Sequence, residues 1–239
     1  MDDIHYERLL NIKTTGEQQG FYESHHYNRY EATSYLALES LFKKYTLNNS
    51  DHIVDFGCGK GRLAFYINYY YNSFVTGIEM NNNYYDICQN NKKNYFKSFS
   101  KPKEKINFLN IFAENYEVSP LDNKFYFFNP FSLQLFIKVL NNILISVEKF
   151  PRDIDLIFYY PSEEYINYLE NYTALTLKQE IPVYNINCVV DIRGTPYSKY
   201  NVQFDKETIR YTLSKAGYPS SLYDCLFILL AANSLAIYM

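Results

Sequence analysis

Tryptophan is absent from the 239 residues, cysteine occurs only four times, and glycine and proline eight times each. Cys58, Cys88, Cys188 and Cys225 lie far apart with no C-x-x-C pair, which excludes a zinc knuckle or a disulfide framework of recognisable spacing. The four histidines add no metal-ligand pattern, so no metal is expected. An excess of positive charge is also missing. Lys and Arg number 23 against 26 Asp and Glu, a formal charge of -3, which removes any general attraction to nucleic acid or an acidic membrane. One local basic patch, Lys92, Lys93, Lys97, Lys101, Lys103 and Lys105, reads as a solvated helix end and loop. No apolar segment follows the acidic start "MDDIHYERLL", so a reducing cytoplasm is the expected location. The long apolar stretch Leu222 to Met239 is interrupted by Asp224, Asn233 and Ser234. A buried terminal helix or strand is expected there, and no membrane partner.

Aromatic residues are abundant instead, 27 Tyr and 18 Phe. Tyrosine is expected to stand in for Leu or Met in the core with its hydroxyl reaching the surface. From about residue 50 strands and helices alternate, which predicts an α/β fold with a parallel sheet covered by helices on both faces. "HIVDF", "SFVTGIEM", "KINFLNIF", "KFYFFNP" and "DIDLIFYYP" read as five strands. Helices are expected over Arg62 to Tyr71, Asn81 to about Phe99, Ser132 to about Glu148 and "SEEYINYLENY", with Ser132 and Ser162 at helix starts. "LTLKQEIPVY", "NCVVDIRG" and "KYNVQF" look like further strand segments of unreadable pairing order. Before residue 50, "EATSYLALESLFKKY" is an amphipathic helix and "TTGEQQGFYESHHYNRY" an aperiodic arm. The chain therefore divides into residues 1–50, arm and helix, and residues 51–239, the α/β domain, whose part after about 181 is undefined.

Three of the eight glycines fall in one loop, "DFGCGKGR", between the first strand and the first long helix. Gly57, Gly59 and Gly61 form G-x-G-x-G, which matches neither the G-x-x-x-x-G-K-[ST] phosphate loop nor the G-x-G-x-x-G dinucleotide fingerprint. A ligand without phosphate lying across the strand ends fits better, approached closely by backbone that carries no Cβ. Asp55 before the loop suits an amino group, and Glu79 at the second strand end suits two ribose hydroxyls.

"VDFGCGKGR" with "GIEM", followed by "AENY" and "FFNPF" after the third and fourth strands, resembles the motifs of class I S-adenosylmethionine-dependent methyltransferases. From about Thr14 to Ile181 the chain looks like a small bacterial subfamily, with "RYEATSY" before the first strand. The resemblance implies a Rossmann-like doubly wound, mostly parallel sheet of the seven-stranded type. It implies S-adenosyl-L-methionine as cofactor, held by Asp55, Gly57, Cys58, Gly59 and Gly61 at the amino-acid end, Glu79 at the ribose, and Met80, Ala113 and Glu114 at the adenine.

Asn129 is counted on both the cofactor and the acceptor side, and Phe131 on the acceptor side. Enzymes with this motif that act on planar amino nitrogens carry two prolines before the aromatic; here one is missing, so nitrogen methylation is only one option for an otherwise unidentified acceptor. His25, His26, Tyr159 and Tyr160 are candidate bases that also read as ordinary arm and core-edge residues. The arm, with Tyr27, Arg29, Tyr30 and Tyr35, is expected to close over the cofactor. A cofactor-binding regulatory module without turnover is the competing reading, and a nicotinamide-dependent oxidoreductase a distant third.

Overall fold

The computed structural model describes residues 3–16, 27–183 and 234–239. The chain forms two units, residues 1–181 with 235–239 and residues 182–234. The second is almost wholly outside the described residues, as are "NCVVDIRG", "KYNVQF" and the first part of the apolar tail.

In the first unit the elements run α1 (Asp3–Leu10), α2 (Tyr35–Lys44), β1 (His52–Phe56), α3 (Arg62–Tyr71), β2 (Phe74–Ile78), α4 (Asn82–Ser98) and β3 (Ile106–Leu109). There follow β4 (Lys124–Phe127), α5 (Leu133–Lys149), β5 (Asp155–Tyr159), α6 (Glu163–Tyr172), β6 (Leu177–Pro182) and β7 (Ser234–Tyr238). The strands form one seven-stranded sheet in the order β3-β2-β1-β4-β5-β7-β6. The first five run parallel, and β7 pairs antiparallel with β5. This is the Rossmann-like, mostly parallel α/β arrangement expected from the alternation of elements. The chain reverses its direction of strand addition between β1 and β4, where sheets of this kind hold ligands at the C-terminal strand ends.

Four consecutive residues of β1, Ile53 to Phe56, and all five of β5 are buried, as strands covered on both faces must be. On one face Phe56, Phe127 and Phe158, on adjacent strands, stack with ring centroids 5.1 Å apart at each step. Leu135, Phe136, Val139, Leu140 and Ile143 of α5 and Tyr165 and Leu169 of α6 close over them. The apolar spacing of α5 thus becomes a contact face. Ser162 caps α6 by accepting from the Tyr165 amide, whereas Ser132 holds the N-cap position of α5 without a side-chain cap bond.

Three of the largest buried tyrosines revise the expected role of the hydroxyl. Tyr35 donates to Glu7, Tyr95 to Asn68 Oδ1 and Tyr165 to the Phe131 carbonyl, so these hydroxyls are satisfied inside the protein. The lysine patch is likewise tied inward in part. Lys101 donates to the carbonyls of Asn68 and Tyr69, Lys105 to Asn72 and Asn49, and Lys92 to Ile106.

The described end of the apolar tail is strand β7, with Ile237 fully buried, and Met239 and Thr176 exchange both backbone hydrogen bonds. Among the described residues no helix is long and apolar enough to cross a membrane.

Candidate active site

β1 ends at Phe56, and the glycine loop folds over the end of β2 through Gly57 and Cys58 amides, both donating to the Ile78 carbonyl. Gly57, Gly59 and Gly61 have φ of 76°, 55° and 84°, a left-handed backbone that strongly favours glycine. The space a Cβ would need is filled by the chain's own side chains: at Gly57 by Pro130, 2.8 Å away, at Gly61 by Phe108, 2.7 Å away, and at Gly59 by the Tyr30 ring, 2.0 Å away. The close approach that the glycines permit is made in this structure by protein groups from three different elements.

Asp55 and Glu79 stand at the ends of β1 and β2, each about 95% buried or close to it. The Asp55 carboxylate makes no hydrogen bond or ion pair with any described residue, and burial, reinforced by the Glu79 charge, pushes it up to about 8. Glu79 accepts from the Gly59 amide at 2.9 Å and the Asn81 amide at 2.7 Å. Burial nevertheless dominates these bonds and moves its carboxyl up to about 7. Among the described residues neither carboxyl meets a cation, so burial favours the protonated form unless a ligand supplies a positive charge. They fit a group that brings an ammonium to Asp55 and hydroxyls to Glu79.

The cations of the loop are not available for that purpose. Lys60, 7% exposed, donates to the carbonyls of Thr15 and Gly16 and lies 4.8 Å from the Tyr30 ring centroid. Arg62, at the start of α3, donates to Thr14 Oγ1, the Thr33 carbonyl, Asp3 and Glu7, and rests on the Tyr35 ring. Glu7 in turn accepts from the Thr14 amide and hydroxyl. Both basic side chains of "GKGR" therefore bind the N-terminal segment to the glycine loop. Sequence reading missed this role for Lys60, Arg62 and Tyr30; the signal available was the pair of cations interleaved with the glycines.

Tyr30 closes over Gly59 and meets Tyr84 at 4.8 Å, whereas Tyr35 is a fully buried core residue stacked on Tyr6. Gly20, Phe21, Tyr22, His25 and His26 lie outside the described residues. Cys58 is buried beside Cys88, whose thiol donates to the Gly59 carbonyl, and burial pushes the Cys58 thiol up. Met80 is half-buried, Ala113 is buried, and Glu114 accepts from the Tyr27 hydroxyl at 3.1 Å.

On the far side of β1, Asn129 adopts φ 40° in the loop after β4. Asn28 clamps this loop, its amide donating to the Pro130 carbonyl at 3.0 Å and its side chain to the Asn129 carbonyl at 2.7 Å. Phe131 is 1% exposed, packed edge-on against Tyr27 and Phe127. It is thus a core residue in this conformation and presents no face to an acceptor. Among the described residues no cluster of His, Cys, Asp and Glu is arranged to hold a metal.

Residues 32–127 match a family described as a methyltransferase domain. The match runs from the arm to the last residue of β4. Such a domain implies S-adenosylmethionine as the cofactor. No curated protein sequence matches the chain. Among solved structures, a StiE O-MT structure is 13% identical, covers 84% of this chain and 71% of its own, and has a TM-score of 0.50, which is a likeness of fold. YjhP from E. coli is 10% identical over 86% of this chain and 91% of its own, with a TM-score of 0.49. An RNA methyltransferase from Salinibacter ruber in complex with S-adenosyl-L-homocysteine is 15% identical, covers 54% of this chain and 77% of its own, and has a TM-score of 0.43.

Proposed function

We propose that the chain is a methyltransferase that takes its methyl group from S-adenosylmethionine and belongs to the small subfamily marked by "FFNPF". The observation that carries this reading is the Asp55 carboxylate, buried at the end of β1 without a partner among the described residues and next to Glu79. Asp55 receives the ammonium of the methionine moiety, and the loop of Gly57, Cys58, Gly59 and Gly61 backs it. Glu79 takes the ribose hydroxyls; Met80, Ala113 and Glu114 border the adenine. Asn129, across Gly57 and Pro130, stands where the acceptor meets the cofactor.

When bound, the sulfonium cofactor supplies an activated methyl group open to in-line attack. The residues of the chain then have three tasks: binding, alignment and exclusion of water. Burial of Asp55 and Glu79 provides the dry, low-dielectric wall, and Tyr30 with Asn28 holds the loops on either side of β1 in place.

Isothermal titration with the cofactor and its demethylated product is the direct test. The expected result is one site per chain that weakens strongly in Asp55→Asn. No binding by the purified full chain would falsify the reading.

A further inference from the structure

Phe128, Tyr159 and Tyr160 gather where β4 and β5 end, and the cofactor geometry makes no use of them. Phe128 lies 4.6 Å from Tyr159 and 5.9 Å from Tyr160 between ring centroids, the latter at 32°, and the two tyrosines meet at 4.8 Å. Phe128 and Tyr160 are half-buried, unlike Phe131. Strand register puts this cluster one residue beyond the pair Phe127 and Phe158, and Phe127 in turn lies beside Phe56 just before the glycine loop.

The backbone is unusual at the same place. Of the four described non-glycine residues at positive φ, Asn11 and Asn72 follow the ends of α1 and α3, where asparagine commonly adopts this shape. The other two are Asn129 at 40° and Tyr160 at 53°, just past the ends of neighbouring strands. A bulky aromatic residue in that region is rare, and such backbone is typically retained at ligand sites.

Two further facts narrow the ligand. Phe131, the aromatic residue of the loop after β4, is 1% exposed and offers no ring face, so the half-buried rings at this edge are those of Phe128 and Tyr160. Among the described residues the charges at this edge are mostly acidic: Asp55, Glu79 and Glu114, with Glu163 and Glu164 opening α6, while Lys60 and Arg62 are engaged by the N-terminal segment. A polyphosphate chain would meet carboxylates.

We infer that the acceptor is a small planar aromatic compound without phosphate, stacked on Phe128 and Tyr160; this rests on the methyl-transfer reading above. The test uses the full chain, tritiated S-adenosylmethionine and a cell extract divided into nucleic acid, protein and a small-molecule filtrate. Label is expected in a ring-absorbing compound of the filtrate. For that compound, Phe128→Leu and Tyr160→Gly should each lower kcat/KM by roughly tenfold or more, the loss expected for one stacking partner, with cofactor affinity unchanged by calorimetry. Tyr160→Gly relieves the positive φ, so a purely structural Tyr160 predicts a variant at least as active as the parent. Label in RNA, DNA or protein, label in an aliphatic compound, no labelled product from a chain that binds cofactor, or unaltered kcat/KM in both variants would overturn the inference. A chain that binds no cofactor overturns the methyl-transfer reading itself.

Discussion

On the β2 side of β1 the chain buries Asp55, Glu79, Lys60 and Arg62; on the β4 side it buries Phe127, Phe131, Phe136 and Phe158. The first region is organised by charge, with the cations consumed by the N-terminal segment and, on the proposed reading, the carboxylates turned to the cofactor. The second is organised by ring packing, with polar contacts reduced to backbone clamps such as Asn28 on Pro130. The match to a methyltransferase domain stops at residue 127, the end of β4. On the proposed reading, the contrast teaches that the charged region meets the cofactor through fixed electrostatics while the ring-packed region meets the acceptor through shape.

The sharpest way to break this contrast is to remove its central cation. Arg62→Gln leaves Glu7 and Thr14 without their buried partner and should cost about 3 kcal/mol of stability, read from urea unfolding. A loss below about 0.5 kcal/mol would show that the N-terminal segment is held by packing alone.

Asp55→Asn probes the opposite sign of charge. Cofactor affinity should fall about 10- to 100-fold, the worth of a charge-assisted hydrogen bond, while the cofactor-free protein becomes more stable at alkaline pH. The folded-state value of about 8 lies above that of an unfolded aspartate near 4. Between those limits the unfolded chain has released a proton that the folded one retains, so stability is fully present at low pH and declines as pH rises to about 8. Melting curves across this window should slope downward for the parent and more gently for Asp55→Asn. A flat parent profile would mean that Asp55 has a partner in solution.

Gly59→Ala tests whether the loop glycine serves the protein or the ligand. Its Cβ would lie 2.0 Å from the Tyr30 ring at φ 55°, so a loss of about 1–3 kcal/mol is expected. Partial recovery in the double variant with Tyr30→Ala should follow; equal instability with or without the Tyr30 ring would assign the cost to backbone strain alone.

The smallest effect is expected from Asn28→Ala, about 1 kcal/mol for the lost side-chain bond to the Asn129 carbonyl. Because the clamp is local, cofactor titration should be unchanged. A large loss of affinity would join the two regions that the comparison separates.

Much of the site's outline was legible before any coordinates. The five parallel strands, α3 from Arg62 to Tyr71 and the placement of Asp55 and Glu79 at strand ends follow from runs of apolar residues broken by glycine and proline, whose effects are local. Helix α1 was not anticipated, because its two buried residues, Tyr6 and Leu10, make too short an apolar stripe to stand out. Nor were Lys60 and Arg62 as anchors, since their partners Thr15 and Asp3 lie more than 40 residues away. Phe131 read as an acceptor contact from its motif, yet the packing of Tyr27, Phe127 and Tyr165 against it decides otherwise.

The sequence by itself determined the α/β class, the turn at Gly57, Gly59 and Gly61, and the two carboxylates at strand ends, because each depends on neighbours a few residues apart. Only the tertiary structure decided which groups fill the space above those glycines, which cations are spent internally, and which aromatic rings remain half-exposed beside Asn129. Those outcomes depend on contacts between distant segments, where burial and competition among side chains, not local spacing, select the partner.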